Sequence, residues 1–166
     1  MKIKAIYFII ATFIIFGCVA APPTPQKTQL EIREFQTRQY DTNDVKMVMK
    51  ALLNVLQDDR YIVKNANVDL GLLSATKEID VENKGEAFFL ALLAGHEARW
   101  KKNSTIECSG NITEIGKVCK VRVNFMIKTM DNKGGVVDVK TIDDAKFYQE
   151  FFAKVDKGIF IGKQKL

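Results

Sequence analysis

The rhythm of apolar and polar residues changes several times along this chain, and each change predicts an element. From Leu30 the positions Leu30, Ile32 and Glu34 alternate with Glu31, Arg33 and Phe35 in a mostly period-two stretch that runs to about Tyr40, which predicts a first strand. Asp41-Thr42-Asn43-Asp44 then offers several N-caps, because short side-chain oxygens accept hydrogen bonds from the free amides of a first helical turn. Val45, Val48, Met49, Leu52, Leu53 and Leu56 follow at the spacing of one apolar helix stripe, so they read as core. Arg60 to Lys64 predicts a strand, Asn65-Ala66-Asn67 a turn, and Leu70 to Ile79 the returning strand. Glu82 to Gly85 breaks the pattern, Ala87 to Ala94 is apolar on all sides, and Gly95 to Lys102 turns polar; this predicts a helix buried in its first half.

Period two returns at Thr105. Ile106, Cys108 and Ile112 share one face, and Cys119, Val121, Val123, Phe125 and Ile127 another, which predicts two strands with Gly116-Lys117 as a glycine-first turn. A longer turn at Asp131 to Gly135 leads to a third strand, Val136 to Ile142. Asp143 or Asp144 caps a final helix with Phe147, Phe151 and Val155 on one stripe, stopped at Gly158, and Ile159-Phe160-Ile161 reads as a last short extended piece. The fold class is therefore α+β: antiparallel sheet packed against two amphipathic helices plus one apolar middle helix, in the order β-α-β-β-α-β-β-β-α. The halves share element types but no sequence period that would establish a repeat.

Ahead of this domain lies a different kind of segment. Lys2 and Lys4 precede an apolar run from Ile6 to Gly17, interrupted only by Thr12 and too short for a mature transmembrane helix, which needs roughly 20 residues. It ends in Ile15-Phe16-Gly17-Cys18, with a branched aliphatic at −3, a small residue at −1 and a cysteine at +1, as a lipoprotein signal has. Residues 1–17 are read as the leader and Cys18 as the lipid-bearing first mature residue, thioether-linked to diacylglyceryl and acylated (palmitate or a similar chain) at its amino group. An ordinary secretory signal with an incidental cysteine, or an uncleaved anchor, is the alternative. Residues 18–29 hold all three prolines and read as a semi-extended tether, and residues 30–166 as a single periplasmic domain. Losing Lys2 and Lys4 lowers the formal charge from +5 to +3, a bias too weak to mark a nucleic-acid binder.

The runs Gln36 to Thr42, Val55 to Asp58, Leu70 to Leu72 with Ala75 to Lys77, and Tyr148 to Phe152 resemble a family of small bacterial envelope lipoproteins of no assigned reaction. The resemblance implies a lipid-anchored α+β protein and brings no catalytic residues. Cys108 and Cys119 are not part of its pattern.

Chemistry is sparse elsewhere. A single histidine, His96, rules against a multi-histidine metal site, and Cys108 and Cys119 lack the close spacing of a zinc knuckle, so no metal and no cofactor beyond the lipid on Cys18 is expected. Asp58-Asp59 reads as solvated loop and Asp143-Asp144 as a cap, not as glycosidase acids. Lys133-Gly134-Gly135 is a turn, not a phosphate loop. An oxidising compartment favours a Cys108–Cys119 disulfide, but a tight turn at Gly116 would set Cys108 opposite Phe125 and Cys119 opposite Glu114, far apart along the ladder. Both states stay open.

The expected function is non-enzymatic: an interaction or accessory subunit on the periplasmic face of a bacterial membrane, with a protein partner in the envelope and no nucleic acid. Val19, where aspartate would mean inner-membrane retention, points to the outer membrane. The partner surface is placed at Phe88, Phe89, Leu92 and Leu93. The other reading is a carrier of a lipid or other apolar ligand, which a cavity of about 300 Å³ or more between helix and sheet would favour.

Overall fold

The computed structural model describes residues 27–79, 103–130 and 135–164. The leader, Cys18, most of the tether, His96 and the segment 87–94 with Phe88, Phe89, Leu92 and Leu93 lie outside the described residues. Within them the chain is α+β, a six-stranded antiparallel sheet with three helices.

The first described element corrects the sequence reading. Residues expected to open a strand form helix α1, Gln29–Phe35, and only Thr37–Tyr40 is strand β1. The reason is a capping box: Thr28 Oγ1 accepts from the Glu31 amide, and the Glu31 carboxylate accepts from the Thr28 amide at 2.6 Å. Those bonds hold the Glu31 carboxyl below its ordinary range. Two free amides satisfied by residues three apart outweigh a short alternation in which Leu30 is in fact exposed. Thr28 and Gln29, read as tether, belong to this helix and its cap.

Helix α2, Val45–Asp58, is capped by Asp44, whose carboxylate accepts from the Met47 amide at 2.8 Å. Val48, Met49, Leu52 and Leu56 of its stripe are buried, and Val45 and Leu53 partly so. Strand β2 is Ile62–Asn67 and β3 is Leu72–Ile79, so the turn falls later than the Asn65-Ala66-Asn67 expected. A bulge between Val63 and Asn65 absorbs one residue, and the Asn67 side chain instead accepts from the Leu70 amide at 2.9 Å, closing the turn beyond the strand. Gly71 completes it at φ +63°, with its carbonyl accepting from the Ile112 amide at 2.7 Å.

Strands β4, Asn103–Ile115, and β5, Val118–Met130, flank the Gly116-Lys117 turn, with Gly116 at φ +63°. Strand β6 is Val136–Thr141. The sheet order is β1-β5-β4-β3-β2, and β6 also pairs with β5. Register therefore puts β1 and β6 on the same edge of β5, at Cys119 to Arg122 and Met126 to Met130 respectively. Between them the edge of β5 is patched by other groups. The Val123 amide donates to the Gln36 carbonyl, the Ile142 amide to the Phe125 carbonyl, and the Phe125 amide to the Tyr148 hydroxyl at 3.2 Å. The buried Gln36 amide group donates to both Asn124 Oδ1 and Tyr148 Oη, each at 3.2 Å. These bonds fix the backbone of Phe125.

Helix α3, Ala145–Gln164, is capped by Asp144, which accepts from the Lys146 and Phe147 amides. It runs straight through Gly158, so the expected stop there and the extended piece at Ile159-Phe160-Ile161 are corrected. Both glycines lie on the face of α3 that packs on α2. A Cβ on Gly158 would sit 3.4 Å from the Ala51 Cβ and one on Gly162 3.5 Å from the Met47 side chain, ordinary van der Waals distances, so both glycines face α2 at a spacing that would also admit alanine.

The two long helices cover one face of the sheet. Alternate residues Cys119, Val121, Val123, Phe125 and Ile127 of β5 point into it and are buried, beside Ile106, Cys108 and Ile112 of β4 and Leu73 and Ala75 of β3. The two rows read separately from the sequence are thus neighbours on one core face. Lys120 and Arg122 of β5 and Ser109 and Asn111 of β4 point the other way and are exposed.

Candidate functional site

Four aromatic side chains from three parts of the chain meet at one edge of the core. Phe125 stands on β5, held by the backbone bonds just described. Phe147 and Phe151, at i and i+4 on α3, present one face of that helix to it. Their rings lie 4.9 Å and 5.1 Å from the Phe125 ring at 89° and 75°, the edge-to-face arrangement that ring quadrupoles favour. Tyr61 completes the set, 5.8 Å from Phe125 at 63°.

Tyr61 arrives there through the end of α2. Arg60 is in the left-handed region at φ 67°, its amide donates to the Gln57 carbonyl, and the Tyr61 amide donates to the Leu56 carbonyl at 2.8 Å. That pair of bonds is a Schellman termination, which normally uses glycine at the position Arg60 holds. A side chain in that conformation costs about 1–2 kcal/mol, and such strained residues cluster at ligand sites.

The aromatic residues line a pocket of about 370 Å³ between α3, the end of α2 and the sheet. Asp58, Asp59, Arg60, Lys77, Glu150 and Lys154 surround it. Lys154 Nζ is 2.5 Å from Asp59, and the Lys77 ammonium lies 5.9 Å from the Tyr61 ring centroid, an attractive cation–π contact. Burial holds the Tyr61 phenol and the neighbouring Cys108 thiol protonated well above their ordinary values. A second groove of about 380 Å³ lies between α2 and α3 over Gly158 and Gly162, and it lacks aromatic walls.

Of the residues singled out from sequence, Phe147 and Phe151 enter the pocket, although they were read as core alone. Asp58 and Asp59 sit on its rim, at the end of α2 rather than in a free loop. Cys108 pairs in register with Phe125, and Cys119 with Glu114. Both thiols are buried and free, so the disulfide candidate is corrected: the tight turn at Gly116 holds the two cysteines at distant rungs of one ladder. Burial, then the Glu114 and Asp44 carboxylates, raise the Cys119 thiol above its ordinary value. Phe125 was read only as a strand residue, and Tyr61, Lys77, Glu150 and Lys154 were given no role in a site. The available signal was the i, i+4 pair Phe147 and Phe151 interleaved with Glu150 and Lys154, charged residues on the shoulder of an apolar stripe. Among the described residues no cluster of His, Cys, Asp and Glu could hold a metal ion, and no helix is long and apolar enough to cross a membrane.

No family model matches this chain, and no curated protein matches it. Among solved structures it is similar to a DUF4468 family protein from Bacteroides ovatus, with 8% identity over 74% of this chain and 84% of that one at a TM-score of 0.40. It is also similar to a TBP-like protein from Parabacteroides distasonis, with 11% identity over 74% of this chain and 90% of that one at a TM-score of 0.39. Likeness this weak bears no weight on function.

Proposed function

We propose that this is a lipid-anchored envelope protein, held through Cys18 on the periplasmic face of the outer membrane, whose domain binds a small apolar ligand without chemical turnover. One observation supports the binding reading above all: the aromatic pocket, at about 370 Å³, lies inside the range of roughly 300–1,000 Å³ that small-molecule sites occupy. It lies between a helix and the sheet, where a carrier would keep its ligand.

The interaction-subunit reading keeps a specific observation of its own. Val68, Leu70 and Leu72 at the β2–β3 turn and Ile115 at the β4–β5 turn are exposed by 40–65%, and the Gly71–Ile112 hydrogen bond puts these two turns at one end of the sheet. Apolar side chains gathered at one end suit a protein partner.

Titration of the mature chain with N-phenyl-naphthylamine, a neutral dye that brightens in apolar surroundings, tests the binding reading. Saturable one-to-one binding, abolished when Glu150→Trp lays an indole over the pocket, is expected. Dye binding that survives this substitution would move the ligand elsewhere, and no dye binding would leave the interaction subunit as the better account.

A further inference from the structure

The composition of the pocket's rim and the place where the tether joins the domain bear on which ligand is taken, granted the ligand-binding reading above. The rim carries three acids, Asp58, Asp59 and Glu150, and three bases, Arg60, Lys77 and Lys154, around a floor that is wholly aromatic. A rim without net charge gives no long-range attraction to an anion or a cation. Lys154 and Asp59 already pair with each other, and the Asp58 and Glu150 carboxylates and the Lys77 ammonium offer both signs to a ligand that carries both charges beside an apolar body. The volume, near the lower end for small-molecule sites, suits one hydrocarbon chain better than two.

The tether joins the domain close by. The Lys27 ammonium donates to the Asp143 carbonyl at 2.5 Å and lies 5.3 Å from the Phe35 ring centroid. Asp143 precedes the pocket residue Phe147 by four positions, about one helical turn or ~6 Å. Cys18 lies nine residues before Lys27, which at most spans about 30 Å. An acylated Cys18 would therefore keep the pocket within ~40 Å of the bilayer.

From the balanced rim, the aromatic floor and this short leash we infer that the pocket takes a single-chain zwitterionic amphiphile, of the lysophospholipid class, from the membrane that carries the anchor. The chain lies against Phe147, the part-exposed ring of the set, with Phe125 and Phe151 packed behind it, and the head's two charges meet the rim.

Displacement of bound N-phenyl-naphthylamine from the mature chain, kept in solution by Cys18→Ser, tests this with probes of equal chain length used below their micelle-forming concentrations. Dodecylphosphocholine should displace the dye at about fivefold lower concentration than dodecyl phosphate or dodecyltrimethylammonium, the preference expected of weak, exposed charge pairs. Glycerophosphocholine, the head without a chain, should not displace it, which separates a membrane amphiphile from a soluble zwitterion. Glu150→Lys, at an exposed position, should shift the preference toward dodecyl phosphate. Equal displacement by all three dodecyl probes, preference for a single-sign head, or displacement by glycerophosphocholine would overturn the inference while leaving the pocket a binding site. Failure of the dye to bind at all would remove both.

Discussion

Tyr148 and Tyr40 are both buried tyrosines, but their hydroxyls are used differently. Tyr148 Oη accepts from the Phe125 amide and the Gln36 side chain, whereas Tyr40 Oη makes no bond of ordinary geometry and has the Asp156 carboxylate beside it. Leaving a buried donor unpaired costs about 1–3 kcal/mol, whereas removing a hydroxyl that bonds nothing costs little. Tyr148→Phe is therefore expected to lose about 1–3 kcal/mol and Tyr40→Phe, whose hydroxyl has only the Asp156 carboxylate beside it, to lose less, as read from urea midpoints. Burial also raises Cys108, Tyr61, Tyr40 and Tyr148 above their ordinary values. A group whose proton is held more tightly in the folded state contributes stability that is full below its unfolded value and lost as pH climbs toward the folded one. Stability should thus hold through neutral pH and fall steadily once pH passes the ordinary thiol value of 9.0 and then the phenol value of 10.0. A flat urea midpoint from pH 8 to about pH 11 would contradict this. Gln36 and Tyr148 both stood in runs quoted for a family resemblance, yet their bond joins residues 112 apart, a distance no local pattern reports.

Elements that bury one full stripe were legible in the sequence; those set by a single contact were not. The i, i+3, i+4 spacing in α2 placed that helix because six apolar residues repeat the same message. Helix α1 has seven residues and buries none of them fully, so only its Thr28–Glu31 capping box distinguishes it from a strand. Gly158 looked like a stop because glycine commonly ends helices, but the contacts that α3 makes on α2 beyond it carry the helix on to Gln164. Two turns carry predictions. A Cβ at Gly71 would stand 2.0 Å from the Ile112 carbonyl oxygen, at a positive φ that alanine disfavours, so Gly71→Ala should lose at least about 2 kcal/mol in chemical denaturation. Arg60→Gly should do the reverse. Relief of about 1–2 kcal/mol of left-handed strain exceeds the 0.5–1 kcal/mol that glycine adds to the unfolded chain's entropy, leaving a gain of about 0.5 kcal/mol. A loss of stability in Arg60→Gly would mean that its side-chain contacts outweigh that strain.

At the scale of the whole molecule, the α+β class was legible in the sequence, the envelope address is a proposal from it, and the pocket came only with the tertiary structure. Phe125, Phe147 and Tyr61 are far apart in the chain, and each has an ordinary core role when read alone. The proposed address makes its own prediction: Cys18→Ala should release the mature protein from membranes, since acyl chains contribute about 0.8 kcal/mol per buried methylene. A cleaved variant still wholly membrane-bound in high salt would refute the anchor. The central claim, a ligand site between α3 and the sheet, is tested most directly by amide NMR spectra of the mature chain titrated with dodecylphosphocholine below its micelle-forming concentration. Saturable shifts concentrated at Asp58 to Tyr61, Lys77, Phe125 and Phe147 to Lys154 are expected. Shifts centred instead on the groove of Asp44 to Asn54 and Gly158 to Gly162, or scattered weakly without saturation, would contradict it.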